Sequence, residues 1–524
     1  MKKIKYIMFF FASLLFLSSC ETLDLAPEDH YGSGNFWQSE EQIRGYVYGL
    51  HNNLRGGLYT YFLMGEARGG LHRDGTSSTN TSLNASGLKV QDLRADNAQI
   101  SNWGNFYNRI LQVNNAIAQV SDKGKTPFLD DDSRGYFLGQ LYGLRSYHYF
   151  WLYRTYGGVP LIQTIDVLEG ETSAENLYTA RSSASDIMAF LKDDIQRSVD
   201  NFGDDFTMTD GGAVWNKYAS LMLKADIYMW SAKVSTGDYQ ANPADIDVAE
   251  AALKAVENQF SLLSSFADVF DYNNKGNDEI IFAIRFRDGE ATNFAAHMLY
   301  SADMFRGLKY DRDKNQLDDV LDLRNNGLQR HEYRFELFES YSEEDQRRDA
   351  TFYDYYDLDD DNELVNPGTV LRKFKGLINN DGNRVYADDV PVYRYADVLL
   401  MLAEVANFKG EDPAPYINQI RERAYGENYD EALHGYSDQG FAANELAILF
   451  ERDKEFVWEN KRWFDILRMH ADDNGTPLVF SPYATYGDGT EPVLDQASEA
   501  HKILWPIDVN TLNDDPLLEQ TSGY

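Results

Sequence analysis

Three glutamates recur at every fourth position, Glu451, Glu455 and Glu459, a spacing that on a continuous helix sets their carboxylates along one face. Paired carboxylates are what glycoside hydrolysis requires, one to protonate the leaving oxygen and one to activate water or attack the sugar. The same stretch also carries Arg452, Lys454, Arg462 and Arg468. A local ionic network is therefore the favoured reading, and no catalytic residue is assigned. Arg394 and Glu404 are read as structural too. His72, Arg73 and Asp74 copy the letters of a kinase catalytic loop, but no phosphate-cradling glycine loop, placed lysine or Asp-Phe-Gly accompanies them. The nine histidines are dispersed without zinc-ligand spacing, His148 is read as a core residue, and no Gly-x-Ser-x-Gly elbow occurs. No cofactor is implied.

Asp311, Asp313, Asn315, Leu317, Asp319 and Asp322 approach a calcium-loop pattern, in which a hard cation takes oxygens at alternate positions. Gln316 stands where the loop needs glycine and Asp322 where it needs glutamate. The run Asp357, Asp359, Asp360 and Asp361 lacks its closing acid, since Gly368 occupies that place. Both read as solvated acidic loops, so no metal is assigned and Asp311, Asp313, Asn315 and Asp322 stay weak calcium candidates. Ligand capture needs flat rings and a few fixed polar groups. Tyr59, Tyr61, Glu66, Arg68, Asp74 and Trp103 supply these in one region, and Arg285, Arg306, Tyr310, Tyr353 and Arg372 in another. Glu66, Arg68, Asp74, Trp103 and Arg372 are the chosen ligand-binding candidates, because each joins charge or a large ring to loop-like surroundings.

The elements that must position these residues are mostly helical. Leu141, Leu144, His148 and Trp151 fall on one face of a helix from Phe137 that stops before Gly157, Gly158 and Pro160. Further helices are expected over about Ser183–Asn201, Asn216–Lys233 and Ala249–Asn258, and helical periodicity returns at Tyr395–Phe408 and Asn444–Met469. Recurring helix pairs suggest a tetratricopeptide-like array, although no repeat meets the full consensus. One short strand is expected at Glu279–Phe286. Periodicity weakens between Asp288 and Asp389, and Tyr59–Trp103 has a similar glycine-rich, polar texture; both read as irregular excursions suited to binding.

A composition of 43% hydrophobic and 14% aromatic residues over 524 positions suffices for a large core. No linker or low-complexity tract divides it, so residues 20–524 are read as one domain, with an N-terminal half to 235 bearing binding loops and a C-terminal half from 236. The net charge of −36 repels phosphate backbones and anionic headgroups and argues against nucleic-acid partners. Lys2, Lys3 and Lys5 precede an apolar stretch from Tyr6 to Leu17, which reads as an export signal over residues 1–19. Leu17, Ser18, Ser19 and Cys20 form a lipobox-like sequence, and Cys20, the only cysteine, would carry the lipid at the mature N-terminus.

Four blocks then resemble one family. Tyr147, His148, Tyr149 and Tyr156 to Leu161 form a helix ending in a glycine pair. Val392 to Glu404 is an arginine-then-helix block. Glu451 to Phe456 with Arg462 to Arg468 is a charged helix with its following turn, and Trp505, Pro506 and Ile507 lead to Asn513, Pro516, Leu518, Gln520, Gly523 and Tyr524. Together with the lipidated start they resemble the SusD/RagB family across essentially the whole mature chain. Asn460 departs where the family tends to glycine and Thr521 where it tends to asparagine; asparagine tolerates the left-handed turn glycine would serve. The resemblance implies a mainly α, SusD-like fold with tetratricopeptide-like helix pairs and irregular excursions carrying short strands. It also implies a non-catalytic lipoprotein on the cell-surface face of a Gram-negative outer membrane, attached through its lipid alone. Such a protein captures oligosaccharides for a SusC-like TonB-dependent transporter. The RagB side of the family handles oligopeptides, which is the alternative ligand, and a helical glycoside hydrolase is the rival from another class.

Overall fold

The computed structural model describes residues 36–75, 85–100, 103–298, 305–324, 327–486 and 491–524. The expected signal segment and Cys20 lie outside them. The scaffold helices are α1 (Glu40–Asn53), α2 (Gly104–Val120), α3 (Asp131–Tyr156), α4 (Ala184–Phe202), α5 (Lys217–Lys233), α6 (Ile246–Val256), α7 (Tyr395–Phe408), α8 (Ala414–Tyr425), α9 (Phe441–Glu455) and α10 (Arg462–Arg468). The architecture is mainly α, as expected.

Local chemistry explains the ends of these helices. Ser183 and Asn216 accept backbone N–H groups at the starts of α4 and α5, within a residue of the expected boundaries. Helix α3 starts six positions before Phe137, because the Asp130 side chain accepts the Ser133 N–H at 2.7 Å and Asp131 and Asp132 favour the positive helix end. It stops at Gly157, whose φ of +73° suits a residue without Cβ. Helix α3 packs on α2 and α4, α5 packs on α4 and α6, and α7 packs on α6, α8 and α9. A connected set of buried apolar side chains runs from Trp37 to Ile507. Gly143 lets α3 lie directly on the Trp215 indole, since a Cβ there would stand 2.1 Å from its Nε1.

Two expectations fail for a shared reason. The span Asn444–Met469 is not one helix: α9 ends at Glu455, and Trp458 and Asn460 take φ of +62° and +63° before α10 begins. The Tyr59 region is not a loop either, because Leu58–Phe62 is helical and continues as a widened π-turn over Leu63–Ala67. These two segments bind each other. Glu66 accepts the N–H groups of Trp458 and Asn460 at 2.8 and 2.7 Å, and Gly65 approaches so closely that a Cβ would lie 2.2 Å from Asn460 O. That contact bridges almost four hundred residues and overrides local propensity. Asn460 does adopt the left-handed turn its identity permits.

Strands are short and antiparallel: β1 (His72–Asp74) with β3 (His331–Tyr333), β2 (Ile280–Ile284) with β8 (Val390–Arg394), β4 (Phe352–Leu358) with β5 (Leu364–Leu371), and β6 (Leu377–Ile378) with β7 (Arg384–Val385). Strand β2 is the one expected from sequence. The β4–β5 hairpin escapes pattern reading because β4, Phe-Tyr-Asp-Tyr-Tyr-Asp-Leu, mixes aromatic and polar residues on both faces.

Asp388, just before β8, is buried with its carboxylate accepting the Gly376 N–H at 2.6 Å. Burial pushes its pKa up to about 7. The folded state therefore binds this proton more tightly than the unfolded chain does. Its contribution to stability is complete below about pH 4 and is lost as pH rises to about 7, at up to about 1.4 kcal/mol per pH unit. The Asp388→Asn variant keeps the acceptor without the proton. Its urea midpoint, compared with that of the parent from pH 4 to pH 8, should gain progressively toward the alkaline end; a pH-independent difference would contradict this.

Candidate functional site

The three spaced glutamates lie in the interior. Glu451, Glu455 and Glu459 are 3%, 0% and 4% exposed, and their partners come from remote elements, not from the local cations named above. Glu451 pairs with Arg347 at 2.7 Å and Arg421 at 3.0 Å. Glu455 meets Arg394 at 2.7 Å, Arg347 at 3.1 Å and Arg423. Glu459, beyond the end of α9, meets Arg394 at 2.9 Å and Lys373 at 2.6 Å. Burial opposes ionisation of Glu455, but Arg423, Arg394 and Arg347 outweigh it and hold the carboxyl well below the usual carboxylate range. Arg452, Arg462 and Arg468 serve Asp397 and Asp465, Asp453, and Glu404. The ionic network is real, but it is tertiary. Buried carboxylates saturated by guanidinium groups can neither reach a glycosidic oxygen nor exchange a proton with it.

Two of the ligand-binding candidates are interior as well, which corrects the sequence expectation. Glu66 is 2% exposed and spends its oxygens on Trp458, Asn460 and the Tyr333 hydroxyl. Arg68 is wholly buried between two indoles, its guanidinium 3.9 Å from the Trp463 ring centre and 5.0 Å from that of Trp505. Its Nη2 donates to Lys502 O at 2.7 Å and its Nε to Gln91 at 2.9 Å. Trp103 is 6% exposed, held edge-on by Tyr156 and Tyr107 at 5.1 and 5.9 Å. It forms part of the wall of an open cleft of about 820 Å³, with Asn105, Asn108, Tyr178 and Asp515, but presents no ring face for a sugar to stack on. Arg372 is half-buried beside β5, its N–H bound to Thr351 O, and no contact joins it to the other candidates.

Asp74 alone of the five is exposed in a polar constellation. The β1–β3 ladder sets Asp74 opposite His331. The short helix Ser86–Lys89 brings Ser86 Oγ and Lys89 Nζ to the Asp74 carboxylate at 2.5 and 2.7 Å. His331 Nε2 lies 3.0 Å from the Tyr59 hydroxyl, and the Arg330 N–H donates to His297 O at 2.6 Å. We refer to this meeting of five segments as the loop junction. Burial opposes ionisation of Asp74, yet its bonds from Lys89 and Ser86 depress its pKa, and it stays a charged acceptor at neutral pH. Lys89, His297, Arg330 and His331 were not foreseen, since nothing local marks residues that meet only in the folded chain.

The calcium candidates do not converge. The Asp311 carboxylate closes its own turn on the N–H groups of Asp313 and Asn315 at 2.9 and 2.8 Å, Asp319 does the same for Leu323 and Arg324, and Asp322 pairs with Arg324 at 2.9 Å. Among the described residues no group of three or more His, Cys, Asp or Glu side chains could hold a metal ion, and no helix is long and apolar enough to cross a membrane.

Fold and site define a helical scaffold that displays polar loops and keeps its paired acids inside. Residues 228–524 match the SusD family, and residues 23–205 match a family described as starch-binding associating with outer membrane. The chain belongs to the SusD family. A SusD superfamily protein from Bacteroides fragilis is 40% identical, with a TM-score of 0.87 over 93% of this chain and all of its own. SusD-like protein P38 of Formosa agariphila is 26% identical over the full length of both chains. Surface glycan-binding protein A from Bacteroides thetaiotaomicron, solved in complex with laminarihexaose, shares the fold at 18% identity and a TM-score of 0.65, over 92% of this chain and 99% of its own.

Proposed function

We propose that this protein is a non-catalytic nutrient-binding lipoprotein on the outer face of a Gram-negative outer membrane, where it captures oligosaccharides and passes them to a SusC-like TonB-dependent transporter. The observation that carries the reading is the starch-binding match over residues 23–205, because that half contributes Asp74, Ser86 and Lys89 to the loop junction. The fold shared with a protein solved with laminarihexaose supports it. The exposed Asp74 carboxylate and the partly exposed Arg330 guanidinium are groups of the kind that hold sugar hydroxyls. The interior position of Glu451, Glu455 and Glu459 speaks for capture without cleavage.

The deciding measurement is calorimetric titration of the mature chain against a panel of glycans and mixed peptides, with product analysis after prolonged incubation. Saturable glycan binding with intact ligand is expected. Binding confined to peptides would assign the protein to oligopeptide capture, and shortened glycans would overturn the non-catalytic reading. Anchoring has its own test: Cys20→Ser should shift the protein from the membrane pellet to the soluble fraction, and unchanged membrane association would refute a lipid on Cys20.

A further inference from the structure

One charge at the loop junction has no counterpart. Arg330 is only partly exposed; its Nε and Nη1 are shut off from solvent and meet no hydrogen-bond acceptor. Among the described residues no carboxylate pairs with its guanidinium. Several buried guanidinium groups of this acid-rich chain are matched by acids, Arg394 and Arg347 each meeting three carboxylates and Arg452 and Arg468 at least two, whereas the interior Arg68 and Arg134 rest on neutral acceptors. Leaving donors buried and unmet is costly, and at Arg330 they belong to a partly exposed side chain where segments from remote parts of the chain converge.

The surroundings of Arg330 add donors without cancelling its charge. Lys89 Nζ lies 3.4 Å from Arg330 O, but its charge is already matched by Asp74. His297 and His331 each present an Nδ1 that is buried without a partner. Burial lowers the His297 pKa to about 4, helped by Arg330, and holds that of His331 well below the usual imidazole value, with Lys89 and other cations nearby. Both rings are thus neutral at physiological pH, and the junction carries one uncompensated positive charge.

We infer that the loop junction selects anionic glycans, with a carboxylate or sulfate of the sugar docked on the exposed part of the Arg330 guanidinium. This rests on the carbohydrate-capture reading and narrows it. A guanidinium keeps its charge in such a half-buried place and spreads it over a plane, which a lysine ammonium reproduces only in part. The strongly negative chain otherwise repels anions, so an acidic ligand needs a specific cation.

Calorimetric titration with three matched probes tests this: an oligosaccharide of uronic acids, the same oligosaccharide with its carboxyls reduced to alcohols, and a sulfated form of the reduced one. At least one anionic probe should bind tenfold or more tighter than the neutral one, and the better of the two identifies the anion. Arg330→Gln should abolish that preference, while Arg330→Lys should restore it only in part. Equal binding of all three probes, or a preference that survives in Arg330→Gln, overturns the inference and leaves carbohydrate capture standing. No binding of any sugar overturns both. Should Arg330→Gln fail to fold, the anionic preference of the unmodified protein and its loss with added salt decide the question.

Discussion

Replacing Arg394 by methionine is expected to lower the stability of this protein by about 3–5 kcal/mol, the usual cost of removing one partner from a buried ionic group. Arg394 is completely buried and meets Glu279 and Glu455 at 2.7 Å and Glu459 at 2.9 Å. Methionine fills much of the volume but leaves these carboxylates short of a cation. Arg423, Arg347 and Lys373 remain to share the load, so the loss should not exceed that range greatly. The effect has a pH signature. Glu455 and Glu459 are ionised more readily in the fold than in the unfolded chain, so their contribution is present above the unfolded carboxylate pKa of about 4.3 and disappears as pH falls below it. The variant should lose much of this acid limb. Urea unfolding at pH 7 and pH 4 measures both quantities; a midpoint change equivalent to less than about 1 kcal/mol at pH 7 would show that the network is dispensable. Adding Glu459→Gln should recover part of the loss, because neighbours in one network are not additive.

The second large effect is expected at Arg68, which the sequence offers as a ligand contact and the structure encloses. Arg68→Met removes a cation stacked on Trp463 and Trp505 and two charge-assisted hydrogen bonds, to Lys502 O and Gln91. Burial lowers its pKa to about 9, which still leaves it charged at neutral pH. Charged hydrogen bonds contribute about 1.5–3 kcal/mol each, so a loss of about 3 kcal/mol or more is expected. These bonds also tie residues 68 and 91 to the C-terminal segment at 502, more than four hundred positions away, and the variant should open that seam to hydrogen exchange. Glycan affinity of the folded fraction should stay within twofold of the parent. A large drop in affinity with unchanged stability would return Arg68 to the ligand site.

Much of the scaffold was legible because it is local. A side chain at Ser183 or Asn216 reaches its own helix's N–H groups, Gly157 ends α3 through its own φ, and the apolar spacing of α3, α4, α5 and α7 is written within single windows. Asn460 was legible for the same reason. The site was less so: of Glu66, Arg68, Asp74, Trp103 and Arg372, Asp74 alone lies in the polar junction, while Glu66 and Arg68 look identical in type and loop-like setting until burial is known.

The sequence by itself determined the helical class, the ends of α4, α5 and α7 and the likeness to a family, because hydrophobic period, capping and motif order are properties of neighbouring residues. Only the tertiary structure decided which charges are paired and which are available. Glu451, Glu455 and Glu459 find their cations at Arg347, Arg421, Arg423, Arg394 and Lys373, and Arg330 is left without an acid. The free energy of an ionised group depends on its solvation and on the charges within a few ångströms, and both are set by segments that no local window contains.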